Sequence, residues 1–150
     1  MNKYGKAARA GLLSLGMALA IAASAPAATP TEQRQAAMKS IGQAMKDAAA
    51  FNSGNTKYDP AKVKVILSGV SATAKKLHGQ FPASSRADPK SAALPAIWAN
   101  KVDFDKRLDA LSKLADAASK ASTQEAYKPA FLAVGATCKG CHDLYRKKAG

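Results

Sequence analysis

Near the C-terminus, the pattern CxxCH is formed by Cys138, Lys139, Gly140, Cys141 and His142. The two thiols are three positions apart, so on a helix they lie on one face and can form thioethers with both vinyl groups of one porphyrin. The histidine that follows can direct its imidazole at the iron, where histidine is a common axial ligand. The motif therefore predicts one covalently attached haem c.

Two other chemistries use closely spaced cysteines. A thiol redox pair commonly opens a helix after a strand, and no strand pattern precedes Cys138. A zinc site needs about four ligands, but the chain has only two cysteines and two histidines, and His78 lies far upstream. Haem attachment is favoured, and thiol chemistry or a plain disulfide is the next alternative.

The N-terminal segment has the order of features found in secretory signal peptides. Lys3, Lys6 and Arg9 precede an apolar run that ends near Ala23, and small residues follow it. This run is short for a membrane span, so an uncleaved anchor is the weaker interpretation. We expect a signal peptide over residues 1–25, with cleavage as late as residue 27.

Residues 26–150 are then predicted to form one domain in the periplasm of a bacterium, without stable membrane insertion after cleavage. The net charge of the chain is +13, and it falls to +10 without the leader. We expect redox protein partners with acidic surfaces, and no nucleic acid, because the protein is exported. Most lysines solvate helix faces, and the candidate docking patch comprises the cations nearest the motif: Lys139, Arg146, Lys147 and Lys148.

Apolar residues recur at three- and four-residue spacing in four segments, and no segment has a convincing strand pattern. The predicted helices cover residues 30–52, 60–79, 96–120 and 122 onward. Their starts carry capping signals at Thr29 with Glu32, at Asp59, and at Ser122 with Glu125. Residues 81–95 form a long crossover connection, and Pro129 should either bend the fourth helix or delay its start.

The predicted core-facing residues follow this spacing, and they are Met38, Ile41, Met45, Ala48, Val63, Leu67, Val70, Ala74, Leu77, Ile97, Phe104, Leu108, Leu111, Ala115, Ala118, Phe131, Val134, Cys138 and Cys141. Four amphipathic helices with mostly short connections favour an all-α fold, an antiparallel four-helix bundle. The haem would be attached near the C-terminus of its fourth helix.

The order of these features resembles the class II cytochromes c, a family that includes cytochrome c prime and its low-spin relatives. The ending CxxCHxxYR, completed by Tyr145 and Arg146, carries most of the resemblance. Four shorter segments also resemble the family, each less specifically, and they occur in the same order as in the family. They are residues 34–38, 58–59, 95–98 and 131–135. In this family the haem is attached near the C-terminus of a four-helix bundle.

The resemblance implies roles for several residues. Cys138 and Cys141 would form the thioethers, and His142 would be the proximal ligand. Arg146 would lie beside that imidazole, although a cation at a helix C-terminus also complements the helix dipole. Arg34 would approach a haem propionate, which suits a bidentate guanidinium.

The residue on the other side of the iron decides between two branches of the family. In cytochrome c prime, the position four residues after the arginine is typically a bulky apolar residue that leaves the iron five-coordinate. Here it is Met38, a soft ligand that favours six-coordinate low-spin iron. Core packing by Met38 and ligation by Met45 are the alternatives. We interpret His78 as a solvated residue at a helix end.

Trp98 is a further candidate at the haem edge, by its aromatic character alone. The sequence favours a non-enzymatic electron carrier. The alternatives are a five-coordinate binder of nitric oxide or carbon monoxide and a thiol enzyme. The resemblance also implies a homodimer through the first two helices.

Overall fold

The structure, a computed structural model, describes residues 27–148. Its helices are α1 (Pro30–Asn52), α2 (Pro60–Leu77), α3 (Ala96–Ala99), α4 (Lys101–Ser119) and α5 (Gln124–Tyr145). Two short 3-10 helices, His78–Gln80 and Ala83–Ser85, lie in the crossover connection between α2 and α3. Within residues 27–148, no helix is long and apolar enough to cross a membrane. The predicted signal peptide lies outside the described residues.

The four long helices form the predicted antiparallel four-helix bundle, in which α1 packs on α2, α2 on α4, and α4 on α5, while α5 returns to α1. All of the residues predicted to face the core from α2, α3 and α4 are buried. On α1, Ile41 and Ala48 are buried, whereas Met38 and Met45 are only partly so. The apolar stripe of α1 is therefore not completely covered by the other helices.

Two of the predicted caps are confirmed. The Thr29 hydroxyl accepts a hydrogen bond from Glu32 N at 3.2 Å, and the Glu32 carboxylate accepts one from Thr29 N at 2.8 Å. A carboxylate oxygen of Asp59 accepts from Ala61 N at 3.0 Å and from Lys62 N at 3.1 Å. These bonds satisfy backbone donors that have no partner within the helix, so they fix where α1 and α2 begin.

Two predicted boundaries were wrong. The expected helix over residues 96–120 is divided at Asn100, whose backbone leaves the helical region with φ −122° and ψ 46°. Asparagine competes with helix geometry and favours such junctions. The cap of α5 is Thr123 rather than Ser122, because the Thr123 backbone is extended and its hydroxyl accepts from Ala126 N at 3.3 Å.

Pro129 lies inside α5, which begins at Gln124 and continues to Tyr145. The alternative in which this helix starts after the proline is therefore wrong. Proline removes one backbone donor, which leaves the carbonyl of Glu125 without its usual partner. Both residues are exposed to solvent, so water can hydrate that carbonyl.

Tyr127 joins α5 to α1 at the end of the bundle away from the CxxCH motif. Its side chain has an exposed fraction of 0%, and its hydroxyl donates to the Ala48 carbonyl at 2.8 Å. Burial, reinforced by Tyr58, raises the pKa of Tyr127 to about 12. The folded protein therefore keeps this phenol protonated at a pH where the unfolded chain ionises it.

Stability should accordingly fall as the pH rises between about 10 and 12. Tyr127 holds its proton more tightly in the folded state than in the unfolded chain. The free energy of unfolding therefore decreases as the pH rises from the pKa of Tyr127 in the unfolded chain towards its pKa in the folded protein, by up to about 1.4 kcal/mol per pH unit. Tyr127→Phe should remove this component and cost about 1 kcal/mol at neutral pH through the lost hydrogen bond. Denaturant unfolding of both proteins across this pH range is the measurement. Parallel pH profiles would contradict the expectation.

Candidate functional site

A cavity of about 580 Å³ lies between α1, α4, α5 and the crossover connection. The last turns of α5 contribute Cys138, Cys141 and His142 to its wall. Helical spacing places these three side chains on one face of α5. The cavity therefore contains all three chemically reactive side chains of the CxxCH motif.

The wall formed by α1 contains both candidate methionines. Met38 and Met45 line the cavity together with Ile41 and Gly42. Apart from the adjoining residues and backbone of α1 itself, no atom lies within 4 Å of the position that a Cβ at Gly42 would occupy. The partly covered stripe of α1 thus lines this cavity, and it places thioether sulfurs in the same space as the imidazole of His142.

Both cysteines are free and half-buried. Burial raises the pKa of the Cys138 thiol, and that thiol donates to the Val134 carbonyl at 3.5 Å. Burial also raises the pKa of Cys141, although the positive charge of Arg107 opposes the shift. Catalytic cysteines commonly have the opposite perturbation, a lowered pKa. The environment therefore does not favour thiolate chemistry.

His142 has the protonation state that metal binding requires. Burial lowers its pKa, and the neighbouring positive charge of Arg146 lowers it further, while Asp143 acts in the opposite direction. The imidazole is therefore neutral at neutral pH, with a free nitrogen lone pair.

Arg34 brings a buried positive charge to the cavity, since its exposed fraction is only 5%. Its guanidinium donates to Gln80 O at 3.1 Å, to Ser85 Oγ at 3.0 Å and to Ser91 Oγ at 2.6 Å. All three acceptors are neutral oxygens. Burial lowers the pKa of Arg34, and the negative charge of Asp88 only partly opposes this effect. A ligand with a carboxylate would balance this charge.

The family model described as Cytochrome C′ matches residues 29–146. The chain belongs to the cytochrome c′ family. A cytochrome c′ of Rhodopseudomonas palustris is 38% identical over 143 residues, which cover 93% of each chain. A cytochrome c-556 of Agrobacterium fabrum is 39% identical over 124 residues, which cover 81% of this chain and 84% of the relative.

The fold agrees with the sequence comparison. The structure of a cytochrome c′ from Rhodopseudomonas palustris superposes with a TM-score of 0.77 at 35% identity, covering 83% of this chain and all of that one. Cytochrome c′ proteins carry one covalently attached haem c, so the predicted cofactor is confirmed.

The residues of this chain fit such a group. The cavity volume lies within the roughly 300–1,000 Å³ typical of ligand sites. Its walls combine apolar side chains with two thiols, a neutral imidazole and a buried guanidinium. These are the side chains that thioether formation, iron ligation and a propionate require.

Arg107 also lines the cavity, and sequence reasoning missed it. Its Nε donates to Asp103 at 2.7 Å, and the hydroxyl of Tyr145 donates to the same carboxylate oxygen at 2.6 Å. These bonds lower the pKa of Asp103. Gly140 of α5 lies beside this guanidinium, since a Cβ at Gly140 would be in ordinary contact with Arg107 Nη1, at 3.8 Å. In the sequence, Asp103 and Arg107 resemble an ordinary surface pair at i,i+4 spacing.

Trp98 and His78 lie away from the cavity wall. Trp98 packs edge-on against Phe81, and its indole N–H donates to the carbonyls of Phe81 and Pro82, each at 3.2 Å. In this position it supports the crossover connection. His78 follows α2 directly and lies between two carboxylates of α4, 3.3 Å from Asp105 and 3.1 Å from Asp109. Neither residue is among those that line the cavity.

Proposed function

We propose that this protein is a periplasmic electron carrier whose haem iron is held by His142 and Met38 and whose thioethers form on Cys138 and Cys141. The observation that carries the proposal is that Met38 of α1 lines the same cavity as the CxxCH side chains of α5. The haem supplies an iron that accepts and releases one electron.

The protein's own residues suit this task. The neutral imidazole of His142 and the thioether of Met38 would hold the iron with little rearrangement between its ferric and ferrous states, and the soft sulfur would favour the ferrous form. The apolar side chains of the walls would also disfavour the additional charge of ferric iron. Arg34 would neutralise a propionate, and Arg146 would hold a positive charge near the imidazole.

Two of the four cations in the proposed docking patch have polar partners within the chain. Lys139 pairs with Asp143 at 2.6 Å, and Lys147 Nζ donates to the Ser91 carbonyl at 3.0 Å. Arg146 and Lys148 are exposed beside them. The surface at the end of α5 retains a positive charge suited to an acidic redox partner, whose association would weaken as salt rises.

A homodimer through α1 and α2 is part of the proposal. Val65 of α2 is 76% exposed, so this helix presents an apolar side chain to solvent. Burial against a second copy would remove this apolar surface from water.

Binding of nitric oxide or carbon monoxide at an open sixth site is the second candidate function. It is favoured by the similarity to a protein named cytochrome c′ over 93% of the chain. It is also favoured by the open space at Gly42, one helical turn after Met38. Under this alternative, Met38 would only pack against the haem.

Absorption spectra of the periplasmically expressed protein test the two functions. We expect sharp bands in the reduced protein, a weak near-infrared sulfur-to-iron band in the oxidised protein, and little change when carbon monoxide is added. Broad high-spin bands that shift with carbon monoxide would contradict Met38 ligation and establish gas binding as the better assignment.

A further inference from the structure

The crossover connection holds α1 through a short series of hydrogen bonds. Besides the three bonds from Arg34, Gln35 Nε2 donates to the Lys90 carbonyl at 2.9 Å. The Arg34 guanidinium also lies over the ring of Phe81, with its carbon 5.2 Å from the ring centroid. The first turns of α1 are thus fixed to residues of this connection.

The same connection holds the C-terminal end of α5. Leu94 N donates to the Tyr145 carbonyl at 2.9 Å, and Lys147 N donates to the Ala92 carbonyl at 2.8 Å. These two bonds form an antiparallel bridge between Ala93 and Arg146. The segment that follows the CxxCH motif is therefore paired, backbone to backbone, with the connection.

Ser91 is the residue at which the two sets of contacts meet. Its hydroxyl oxygen accepts from Arg34 Nη2 at 2.6 Å and from Ala93 N at 3.0 Å. Its carbonyl accepts from Lys147 Nζ at 3.0 Å. The residue has an exposed fraction of 4%, so water does not readily replace these bonds.

These contacts lie one helical turn from each candidate axial ligand. Arg34 precedes Met38 by four residues, which places both on one face of α1. On α5, Arg146 N donates to the His142 carbonyl at 3.1 Å, and the bridge to the connection begins at this turn. A substitution at Ser91 would therefore alter hydrogen bonds that position both α1 and the C-terminal end of α5, the two helices that carry the candidate ligands.

We infer that Ser91 is a positioning residue for the haem iron, one that sets the separation of α1 from the end of α5 and so holds the Met38 sulfur and the His142 imidazole at bonding distance. The inference rests on the proposed axial ligation. Ser91 touches neither ligand, and it acts through Arg34 on one side and through the bridge at Arg146 on the other.

Ser91→Ala should weaken the iron–sulfur bond. The substitution removes an acceptor from a buried guanidinium, which then shifts or draws in water, and it removes the acceptor of the Ala93 amide. The affinity of the ferrous protein for carbon monoxide should rise about tenfold, which corresponds to ~1.4 kcal/mol. The near-infrared band should lose intensity, and the amides of Leu94 and Lys147 should exchange hydrogen faster.

The test is a double-mutant cycle on carbon monoxide affinity with S91A, M38A and the combined variant. The matched control is Ser112→Ala, since Ser112 is equally buried, makes a 3.0 Å hydrogen bond with Ser71 and is not among the residues that line the cavity. S91A should raise the affinity only when Met38 is present, and S112A should leave it unchanged. If S91A does not fold, Lys147→Met, which removes one bond at the surface, should produce a smaller rise in the same direction.

Equal affinities for S91A and wild type would overturn the inference, as would an equal rise from S91A in the wild-type and M38A backgrounds. Equal amide exchange at Leu94 and Lys147 would also count against it. Failure of the proposed ligation would be seen in the wild-type protein itself. Its spectrum would lack the sulfur-to-iron band, and it would bind carbon monoxide fully without any substitution at Ser91.

Discussion

Replacement of both Cys138 and Cys141 by serine is expected to abolish covalent haem attachment. The haem of the double variant should extract completely into acidified organic solvent, whereas the wild-type haem should stay with the polypeptide. The reason is chemical, since a hydroxyl at either position cannot form a thioether with a vinyl group. Each single variant should retain one thioether and remain coloured after denaturing electrophoresis.

The double variant should also lose much of its stability. Where its untethered haem dissociates, the double variant is left with an unfilled cavity of about 580 Å³, which would cost on the order of 10 kcal/mol by the scaling of mutational cavities, an upper bound because water can enter. That cost is comparable with the whole stability of a domain of this size. We expect reduced helicity and a broad thermal transition by circular dichroism.

Thr137→Val is the matched control for the double variant, because Thr137 lines the same cavity and its hydroxyl donates to the Val134 carbonyl at 2.7 Å. This variant should keep its haem through extraction and unfold close to the wild type. Covalent haem in the double cysteine variant would show that attachment does not use these thiols.

The bundle was predictable because its determinants are local. Three- and four-residue apolar spacing defines the buried stripes of α2 and α4, and the caps at Thr29 and Asp59 act within a few residues of themselves. The break at Asn100 was missed because the apolar stripe continues through it, from Ile97 to Phe104. Periodicity reports which face is buried and is less sensitive to a local change of backbone direction.

The polar environment of the site was less predictable, because it depends on contacts between distant residues. The three acceptors of Arg34 lie 46, 51 and 57 positions further along the chain. No periodicity relates residues at such separations. Arg107 was missed for a related reason: its pairing with Asp103 is visible in the sequence, but its position beside Gly140 follows from the packing of α4 against α5.

If Met38 ligates the iron as proposed, Met38→Ala should make the protein a binder of carbon monoxide. If the state with the sulfur dissociated is populated to ~1% in the wild type, the removal of Met38 should raise the affinity of the ferrous protein about 100-fold. The near-infrared sulfur-to-iron band should disappear, and the reduction potential should fall because the soft ligand that favours ferrous iron is lost.

Met45→Ala is the decisive comparison, since Met45 offers the same sulfur chemistry from the same helix and lines the same cavity. This variant should keep the near-infrared band and bind carbon monoxide as weakly as the wild type, with only a packing loss in thermal stability. If Met45→Ala lost the band while Met38→Ala kept it, the axial sulfur would belong to Met45. If both variants kept the wild-type spectrum, neither sulfur would bind the iron. The two methionines lie seven residues apart, about two helical turns, so the outcome also reports how deeply the porphyrin lies along α1.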